Sequence, residues 1–245
     1  MYRFPVLGLL LASALVFGGC NRTERANSQG EASREVTPSR NSGTAMARFV
    51  SALDAHSGTE LYFGDLRLFG AEGAKEPTGY KPVPAERRDF ILREAGKPDG
   101  VEIEKNSEGL REGKHYTVVA YEDDDGKPVL RVVNDDENAP SAGKAKVRLI
   151  HAAPKMEPVA LYAAAQKDKL AGESRFSTVS TWQEVDPMTG PLEVRAGDDK
   201  TGSRAVAPGG GIEAGKLYTF IVEGGPKSAE KFHVLRLTDT PANTQ

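Results

Sequence analysis

The sequence repeats itself at an interval of one hundred residues. The offset between matched segments grows from 100 to 102 positions along the chain, and their order is kept. Single-residue loop insertions in two otherwise equivalent units would produce such a drift, so we predict that one folding unit was duplicated. The matched segments are Arg48–Val50 with Arg148–Ile150, Leu61–Tyr62 with Leu161–Tyr162, Arg93–Gly96 with Val194–Gly197, and Leu110–Val119 with Ile212–Ile221.

Within each repeat, apolar residues recur at every second position in short runs separated by Gly, Pro, Asn and Asp. This period predicts β-strands, and Asp125-Gly126 predicts a hairpin turn. We expect about six or seven strands per repeat and therefore an all-β chain with two tandem Ig-like β-sandwich domains. In the first repeat the strands are predicted near residues 46–53, 59–69, 79–84, 88–94, 100–105, 115–122 and 128–134.

The N-terminus has the features of an export signal. Arg3 gives it a basic start, and a mostly apolar run extends from Val6 to Gly19. As a helix rising about 1.5 Å per residue, this run would cover roughly 20 Å of the about 30 Å of hydrocarbon in a bilayer. Residues 1–19 are therefore predicted to be a signal peptide and not a permanent membrane span.

Cys20, the single cysteine, directly follows Gly18-Gly19. The segment Val16–Cys20 resembles the bacterial lipobox, with Phe17 where that pattern usually has Leu. The resemblance implies that Cys20 becomes a lipidated first residue whose acyl chains hold the protein at a membrane. A soluble exported protein is the alternative. Because Asn21 and not Asp follows, we expect the outer membrane or the cell surface, facing the periplasm or the exterior.

The segment after the signal is rich in Ser, Thr, Asn, Arg and Glu. Such a composition cannot bury enough surface to offset the entropy of ordering, so residues 20–45 are predicted to form a disordered, flexible tether. The two β-sandwich repeats are then predicted to span residues 46–137 and 138–245, each near the commonest domain size.

The charge balance gives no reason to expect a nucleic-acid partner, and we expect none. The chain has 32 basic and 35 acidic residues and a formal net charge of −3 at pH 7. Nucleic-acid-binding proteins instead cluster Lys and Arg on one face. The expected partners are the membrane, through lipidated Cys20, and an envelope protein or glycan.

A more specific resemblance begins at the junction of the repeats. The segments that carry it are Asn134–Pro140, Gly143–Ala145, Val147–Arg148, His151–Pro154, Leu192–Gly197 and Glu213–Thr219. In these segments the chain resembles the bacterial domain-of-unknown-function family 4397, which implies Ig-like β modules on exported or envelope proteins and supplies no catalytic residues. The first repeat departs from the pattern, because Ser51 replaces its His and no Pro follows.

Two motif-like stretches do not fit the enzymes that they suggest. Gly210–Lys216 matches a phosphate-binding loop up to its last position, but Leu217 follows where Ser or Thr is required, and a strand is predicted next. Ser228–Lys231 follows Lys200–Gly202, which reverses the order found in serine β-lactamases. We therefore expect neither activity.

The histidines are dispersed, with His56 in a predicted loop and His115, His151 and His233 in predicted strands. No Ser-His-Asp or Cys-His arrangement can be proposed, so we predict that the protein is not an enzyme. The alternative is an extracytoplasmic hydrolase or glycan-processing enzyme whose unrecognised site uses two carboxylates. A metal- or ligand-binding module with a concave pocket is a third possibility.

The junction between the repeats offers candidate calcium ligands. Calcium prefers hard oxygen ligands, and the spacing is similar to that of a cadherin linker. We favour a solvated hinge, since further acidic ligands are not recognisable elsewhere in the chain. No other cofactor is expected. The candidate ligands are Asn134, Asp135, Asp136, Glu137 and Asn138.

The sequence therefore predicts a lipid-anchored bacterial envelope protein that acts as a non-catalytic binding or interaction module. What the two copies share is mostly scaffold, since it recurs without any shared catalytic pattern. Specific activity is expected where they differ, in the loops, the Asp-rich junction or the groove between them.

Overall fold

A computed structural model describes residues 43–53, 58–71, 76–96, 100–164, 167–197, 204–224 and 232–241. These residues belong to one compact unit, Val36–Gln245. Cys20, His56, the predicted signal peptide and most of the predicted tether lie outside the described residues. Within the described ranges, no helix has the length and apolar character needed to cross a membrane.

The first repeat forms a sandwich of two four-stranded sheets. Its strands are β1 Thr44–Ala52, β2 Thr59–Phe63, β3 Leu66–Phe69, β4 Lys81–Pro84, β5 Arg87–Glu94, β6 Glu102–Gly109, β7 His115–Glu122 and β8 Pro128–Asn134. One sheet has the order β4-β1-β7-β8 and the other β3-β2-β5-β6. Strands β1 and β7 pair in parallel, so the first strand lies in the middle of its sheet.

The second repeat has the same arrangement. Its strands are β9 Ala145–Ala152, β10 Val159–Ala163, β11 Lys169–Ser174, β12 Thr178–Val179, β13 Gln183–Val185, β14 Leu192–Ala196, β15 Arg204–Ala207, β16 Leu217–Glu223 and β17 His233–Asp239. Strands β9 and β16 pair in parallel, as β1 and β7 do. The short strands β12 and β13 both border β9, and the second sheet has the order β11-β10-β14-β15.

The all-β prediction is confirmed, but one predicted strand is two. The run predicted near 59–69 is a hairpin that turns at Gly64-Asp65, so the described residues of the first repeat form eight strands. Gly64 adopts φ +59°, a conformation that favours glycine, and a Cβ there would lie 3.2 Å from Arg88. Apolar alternation resumes directly after the turn, and the period alone therefore did not reveal it.

Side chains point alternately to the two faces of each strand, and the buried apolar residues form three cores. One core lies inside each sandwich, and the third lies between the two sandwiches. Tyr116, Val118 and Ala120 point into the first sandwich, while Val119 and Tyr121 point out of it. The outward residues meet their counterparts from the second repeat, so the sheet containing β1 and β7 packs on the sheet containing β9 and β16. This third core consists of Val50, Ala52, Val119, Tyr121, Val133, Ile150, Ala152, Ile221 and Leu237.

Candidate binding cleft between the two repeats

The contact between the sandwiches contains a buried polar pair in each repeat. Arg48 lies opposite Thr117 on the parallel strand β7, and Arg148 lies opposite Thr219 on β16. The Nε of each arginine donates a hydrogen bond to the threonine Oγ1, at 2.8 Å and 2.9 Å respectively. Both repeats therefore place the same pair at the same register.

Each of these guanidinium groups also lies over an aromatic ring. The Cζ of Arg48 is 4.5 Å from the centroid of Tyr80, and that of Arg148 is 4.4 Å from Trp182. Tyr80 directly precedes β4, and Trp182 directly precedes β13, and these strands border β1 and β9. Cation–π contacts of this kind offset part of the desolvation of a buried cation.

The arginines are paired reciprocally across the interface. Arg48 donates from Nη1 and Nη2 to the two carboxylate oxygens of Asp239, at 2.9 Å and 2.7 Å. Arg148 donates from Nη2 to Oδ1 of Asp135. Asp135 directly follows β8 and Asp239 ends β17, the last strand of the second repeat. Each repeat thus supplies an arginine to the other and receives one, as in a two-fold symmetric contact.

The two carboxylates are not equally placed. Asp135 also accepts hydrogen bonds at Oδ2 from the Tyr80 hydroxyl at 2.8 Å and from Thr117 Oγ1 at 2.5 Å. The Nη2 of Arg48 lies 3.6 Å from the same oxygen. The side chain of Asp135 is 3% exposed, whereas that of Asp239 is 18% exposed. Asp135 is therefore the centre of the interface network.

The network sets the protonation of its members. Burial and the charge of Asp135 raise the pKa of Tyr80, which keeps its hydroxyl a donor. Burial lowers the pKa of Arg148, and Asp135 partly offsets that effect. Burial also lowers the pKa of Arg48, but the facing carboxylates and Tyr80 raise it more in total, so its pKa lies above the usual value. Both guanidinium groups remain charged, which makes their carboxylate partners necessary.

A cleft of about 310 Å³ opens beside this network. Its lining comes from equivalent places in the two repeats: the first residues of β7 and β16, and the segments 135–137 and 239–241 at and beyond the ends of β8 and β17. The cleft therefore lies on the approximate two-fold axis between the repeats. The lining residues are Tyr80, His115, Asp135, Asp136, Glu137, Leu217, Thr238, Asp239, Thr240 and Pro241.

The lining differs in chemistry between its two sides. The first repeat supplies His115, Asp136 and Glu137, whereas the equivalent positions of the second repeat are Leu217, Thr240 and Pro241. The arginine, threonine and aspartate of the network are the same residue types in both repeats. The repeats thus differ at the cleft and agree in the network beneath it.

Residues 45–162 match the family described as Domain of unknown function (DUF4397). The chain resembles this family. The DUF4397 match covers the strands of the first repeat and ends within β10 of the second. It contains Arg48, Asp135 and Arg148 but ends before Asp239. No curated protein matches the chain.

His115 and Asp136 form a paired unit at the wall of the cleft. Asp136 Oδ2 accepts a hydrogen bond from the backbone N–H of His115 at 3.0 Å, and its Oδ1 is 3.3 Å from His115 Nδ1. The ring of Tyr80 packs edge-on against His115, with the centroids 5.1 Å apart. Nδ1 is thereby committed to Asp136, and Nε2 lies on the opposite side of the imidazole.

The five calcium candidates are not gathered into a metal site. Among the described residues, no group of three or more His, Cys, Asp and Glu side chains could hold a metal ion. The expectation of a solvated hinge is wrong for Asp135, which is buried because arginines from both repeats converge on it. The candidates are engaged by protein groups: Asn134 Oδ1 by Asp136 N, Asp135 by Arg148, Asp136 by His115, Glu137 Oε1 by Lys146 Nζ, and Asn138 O by Lys146 Nζ.

Sequence reasoning missed the arginine network, although one signal was present. Arg48 and Arg148 align in the repeat and share a strand face with Val50 and Ile150. A charged residue repeated on an otherwise apolar face indicates a buried, paired cation. Asp239 had no such signal, because the segment that contains it was not among the matched segments.

Proposed function

We propose that this protein is a lipid-anchored bacterial envelope protein that acts as a non-catalytic binding or interaction module. The cleft on the approximate two-fold axis carries this proposal. The arginine, threonine and aspartate network beneath the cleft, called the frame below, has the same residue types in both repeats. The residues that line the cleft differ in type between the two repeats. A concave surface whose side chains differ between two otherwise equivalent repeats is suited to binding a specific ligand.

The frame supports binding because its charged groups are neutralised inside the protein. Arg48 and Arg148 hold the two sandwiches together through Asp239 and Asp135. The recognition surface would therefore be largely preformed, which reduces the entropy lost on binding. Lipidated Cys20 and the tether would hold this surface at a membrane, where an envelope protein or glycan is the partner.

The alternative of a glycan hydrolase is less well supported at this cleft. Such an enzyme needs an acid and a base or nucleophile facing one substrate bond at about 5 to 10 Å separation. Asp135 and Asp239 are each held by an arginine, and Asp136 is held by His115. These carboxylates are occupied by groups of the protein itself and do not face a common substrate bond, so we favour binding.

Crosslinking in the intact envelope, followed by recovery of the chain and its partners, tests the proposal. We expect a crosslinked partner for the unaltered chain and its loss in Thr238→Tyr, which narrows the cleft from an exposed position on β17. Val206→Tyr, at an exposed position on β15 away from the cleft, is the matched control. The same partners in all three chains would overturn the role of the cleft.

The anchor is tested in the same cells. Cys20→Ala should move the chain from the membrane fraction to the soluble fraction. Retention of Cys20→Ala in the membrane fraction would overturn the lipid anchor without affecting the cleft.

A further inference from the structure

The second repeat encloses one histidine whose two ring nitrogens are both bound. His151 is completely buried. Its Nδ1 accepts a hydrogen bond from the backbone N–H of Ala153 at 3.3 Å and therefore carries no proton. Its Nε2 lies 3.3 Å from the backbone oxygen of Glu157, so the single proton of the neutral ring lies on Nε2. The ring thus fixes both ends of the loop that joins β9 to β10.

The segments beside this ring contact the first repeat. The backbone N–H of Lys155 donates to Asp124 Oδ1 at 2.9 Å. Ser177 Oγ lies 2.7 Å from the Tyr121 hydroxyl and accepts a hydrogen bond from Arg131 Nη2 at 3.2 Å. We call these hydrogen bonds the distal contact, because Tyr121 lies near the end of β7 and the cleft lies at its beginning, roughly 20 Å away.

Both segments of the distal contact are held by His151. Its side chain fixes the loop that contains Lys155, and its backbone oxygen accepts a hydrogen bond from the N–H of Ser177 at 2.8 Å. The ring of Phe176 lies edge-on to His151 and to Tyr121, with centroids 6.0 Å and 5.9 Å apart. Lys155 and Ser177 have φ of +59° and +60°, which L side chains rarely adopt, so release of the segments relieves strain.

A second proton on this ring would break the arrangement. It would enter at Nδ1, where the N–H of Ala153 already points, so that one donor would face another. It would also place a charge in a site closed to water. Burial accordingly lowers the pKa of His151, and the Glu157 oxygen offsets this only in part. A solvated histidine takes up its proton near pH 6.5, so acid favours a state in which the ring is released.

Other ionisable side chains lie on the elements packed against His151. In the described part of the second repeat they are Lys155 and Glu157 on its loop, Arg175 beside Phe176, Glu223 on β16, and Lys169 and Glu173 on β11, which bind each other. Those of the first repeat that bind these segments are Asp124, Arg131 and Tyr121. Histidine is the side chain whose ordinary pKa lies between pH 5 and pH 8. Asp124 is the group from which a response of His151 must be distinguished.

We propose that His151 makes the distal contact sensitive to protons. When a proton from solvent binds Nδ1, the hydrogen bond from Ala153 breaks, and the segments containing Lys155 and Ser177 leave the first repeat. The arginine–aspartate network at the other end stays closed, because its arginines keep their charge. Ser51 stands at the matching position of the first repeat and cannot respond in this way. The inference goes beyond the proposed binding function and holds whether or not the cleft has a partner.

Hydrogen exchange of single amides, followed by nuclear magnetic resonance on the ¹⁵N-labelled full chain in detergent micelles, tests the proposal. The protection of Ala153, Lys155 and Ser177, corrected for the intrinsic effect of pH on exchange, should fall on the order of fivefold between pH 6.5 and pH 5.5, since opening takes up one proton. The amides of Thr117 and Thr219, beside the arginines, should keep their protection. An equal fall at all five amides, or no fall at any of them, would overturn the proposal.

Nitrogen spectra of the histidine rings test the same geometry without a substitution. His151 should show the Nε2–H tautomer at pH 7 and should remain mostly neutral at pH 6, where a solvated histidine is mostly protonated. The Nδ1–H tautomer, or an ordinary titration near pH 6.5, would contradict the proposed role of the ring.

Variants identify the titrating group. His151→Asn should abolish the pH dependence of protection at Lys155 and Ser177, and the ring spectra decide the question if this variant does not fold. Asp124→Asn keeps an oxygen for the N–H of Lys155 and should retain the dependence, as should His233→Gln, which is exposed on β17. Survival of the dependence in His151→Asn, or its loss in Asp124→Asn or His233→Gln, would assign the response to another group and overturn the proposal.

Discussion

At the scale of single residues, Asp135 connects the two repeats. It is almost completely buried and receives hydrogen bonds from Arg148, Tyr80 and Thr117. Removal of one partner from a buried ion pair leaves an uncompensated charge, which destabilises more than loss of the attraction alone. The residue that looked like part of a solvated hinge is thus the one whose charge the fold requires.

Asp135→Asn should lower the free energy of unfolding by about 3 to 5 kcal/mol, because it leaves Arg148 buried without its anion. Urea unfolding at pH 7 measures the change. Asp186→Asn is the control, since its pair with Lys144 is exposed and should contribute less than about 1 kcal/mol. Comparable small losses in both variants would show that the Asp135 pair does not hold the interface.

His151 predicts a dependence of stability on pH. Burial lowers the pKa of His151, and the backbone oxygen of Glu157, 3.3 Å from Nε2, only partly offsets this. The unfolded chain takes up a proton near the usual value of about 6.5, whereas the folded chain does not. Stability should therefore fall as the pH decreases through and below about 6.5.

Chemical unfolding between pH 8 and pH 5 measures this dependence. His151→Asn removes the titrating group and should flatten the curve below about pH 6.5, whatever its effect on stability at neutral pH. Parallel curves for both chains would assign the acid sensitivity to other groups.

At the scale of elements, both repeats keep the positions of their strands. Both also keep a turn in which a tyrosine hydroxyl binds the backbone five residues upstream. The hydroxyl of Tyr116 accepts a hydrogen bond from the backbone N–H of Arg111 at 3.1 Å, and Tyr218 accepts one from Glu213 at 2.9 Å. A tyrosine that bonds to the backbone a few residues upstream occurs in Ig-type sandwiches. The sequence match between Leu110–Val119 and Ile212–Ile221 therefore reflects the same tyrosine-bonded turn before a core strand in both repeats.

The alternating pattern of apolar residues predicted most of the strands, but it did not predict which strands pair with each other. The hairpin β7–β8 follows from Asp125-Gly126, and Gly126 has φ +79° as that turn requires. The parallel pairing of β1 with β7 joins segments about seventy residues apart, and local sequence contains no signal for such a pairing. Periodicity gives the face of a strand, whereas pairing depends on the whole chain.

Gly211 tests the packing of one loop against another. The backbones of Met188 and Ile212 exchange hydrogen bonds at 2.9 Å and 2.8 Å, and a Cβ at position 211 would lie 1.9 Å from the Met188 carbonyl oxygen. Gly211→Ala should destabilise by about 1 to 3 kcal/mol, because one of the two backbones must move.

Thermal unfolding of Gly211→Ala and Gly172→Ala measures this effect. Among the residues that the structure describes, none has an atom within 4 Å of a Cβ added at Gly172 on β11 beyond its chain neighbours, so its replacement should be neutral or stabilising. Equal melting temperatures for the two variants would contradict the close contact between the backbones at Gly211 and Met188.

At the scale of the whole molecule, the repeats are halves of one compact unit. The sequence predicted two copies but not the face through which they pack. Arg48 and Asp239 are 191 positions apart, and only the folded chain shows that they meet. The candidate cleft was foreseeable as a groove between the repeats, whereas its lining depended on that packing.

Calcium should not change this molecule. The junction carboxylates already bind arginine, histidine and lysine side chains, and a calcium ion would have to displace them. We expect the same melting temperature and the same small-angle scattering profile with millimolar calcium and with a chelator. A calcium-dependent rise in melting temperature or a change of shape would restore the calcium hypothesis.

The central claim is that reciprocal arginine–aspartate pairs join the two sandwiches into one body. A protease site inserted between residues 139 and 143 of the full chain allows the connection to be cut after folding. Sedimentation of the cut chain in detergent should show one particle with the mass of the uncut protein, and the double variant Asp135→Asn, Asp239→Asn should release two fragments. If the cut chain without those substitutions separated into two fragments at micromolar concentration, the claim that these pairs join the sandwiches would be contradicted.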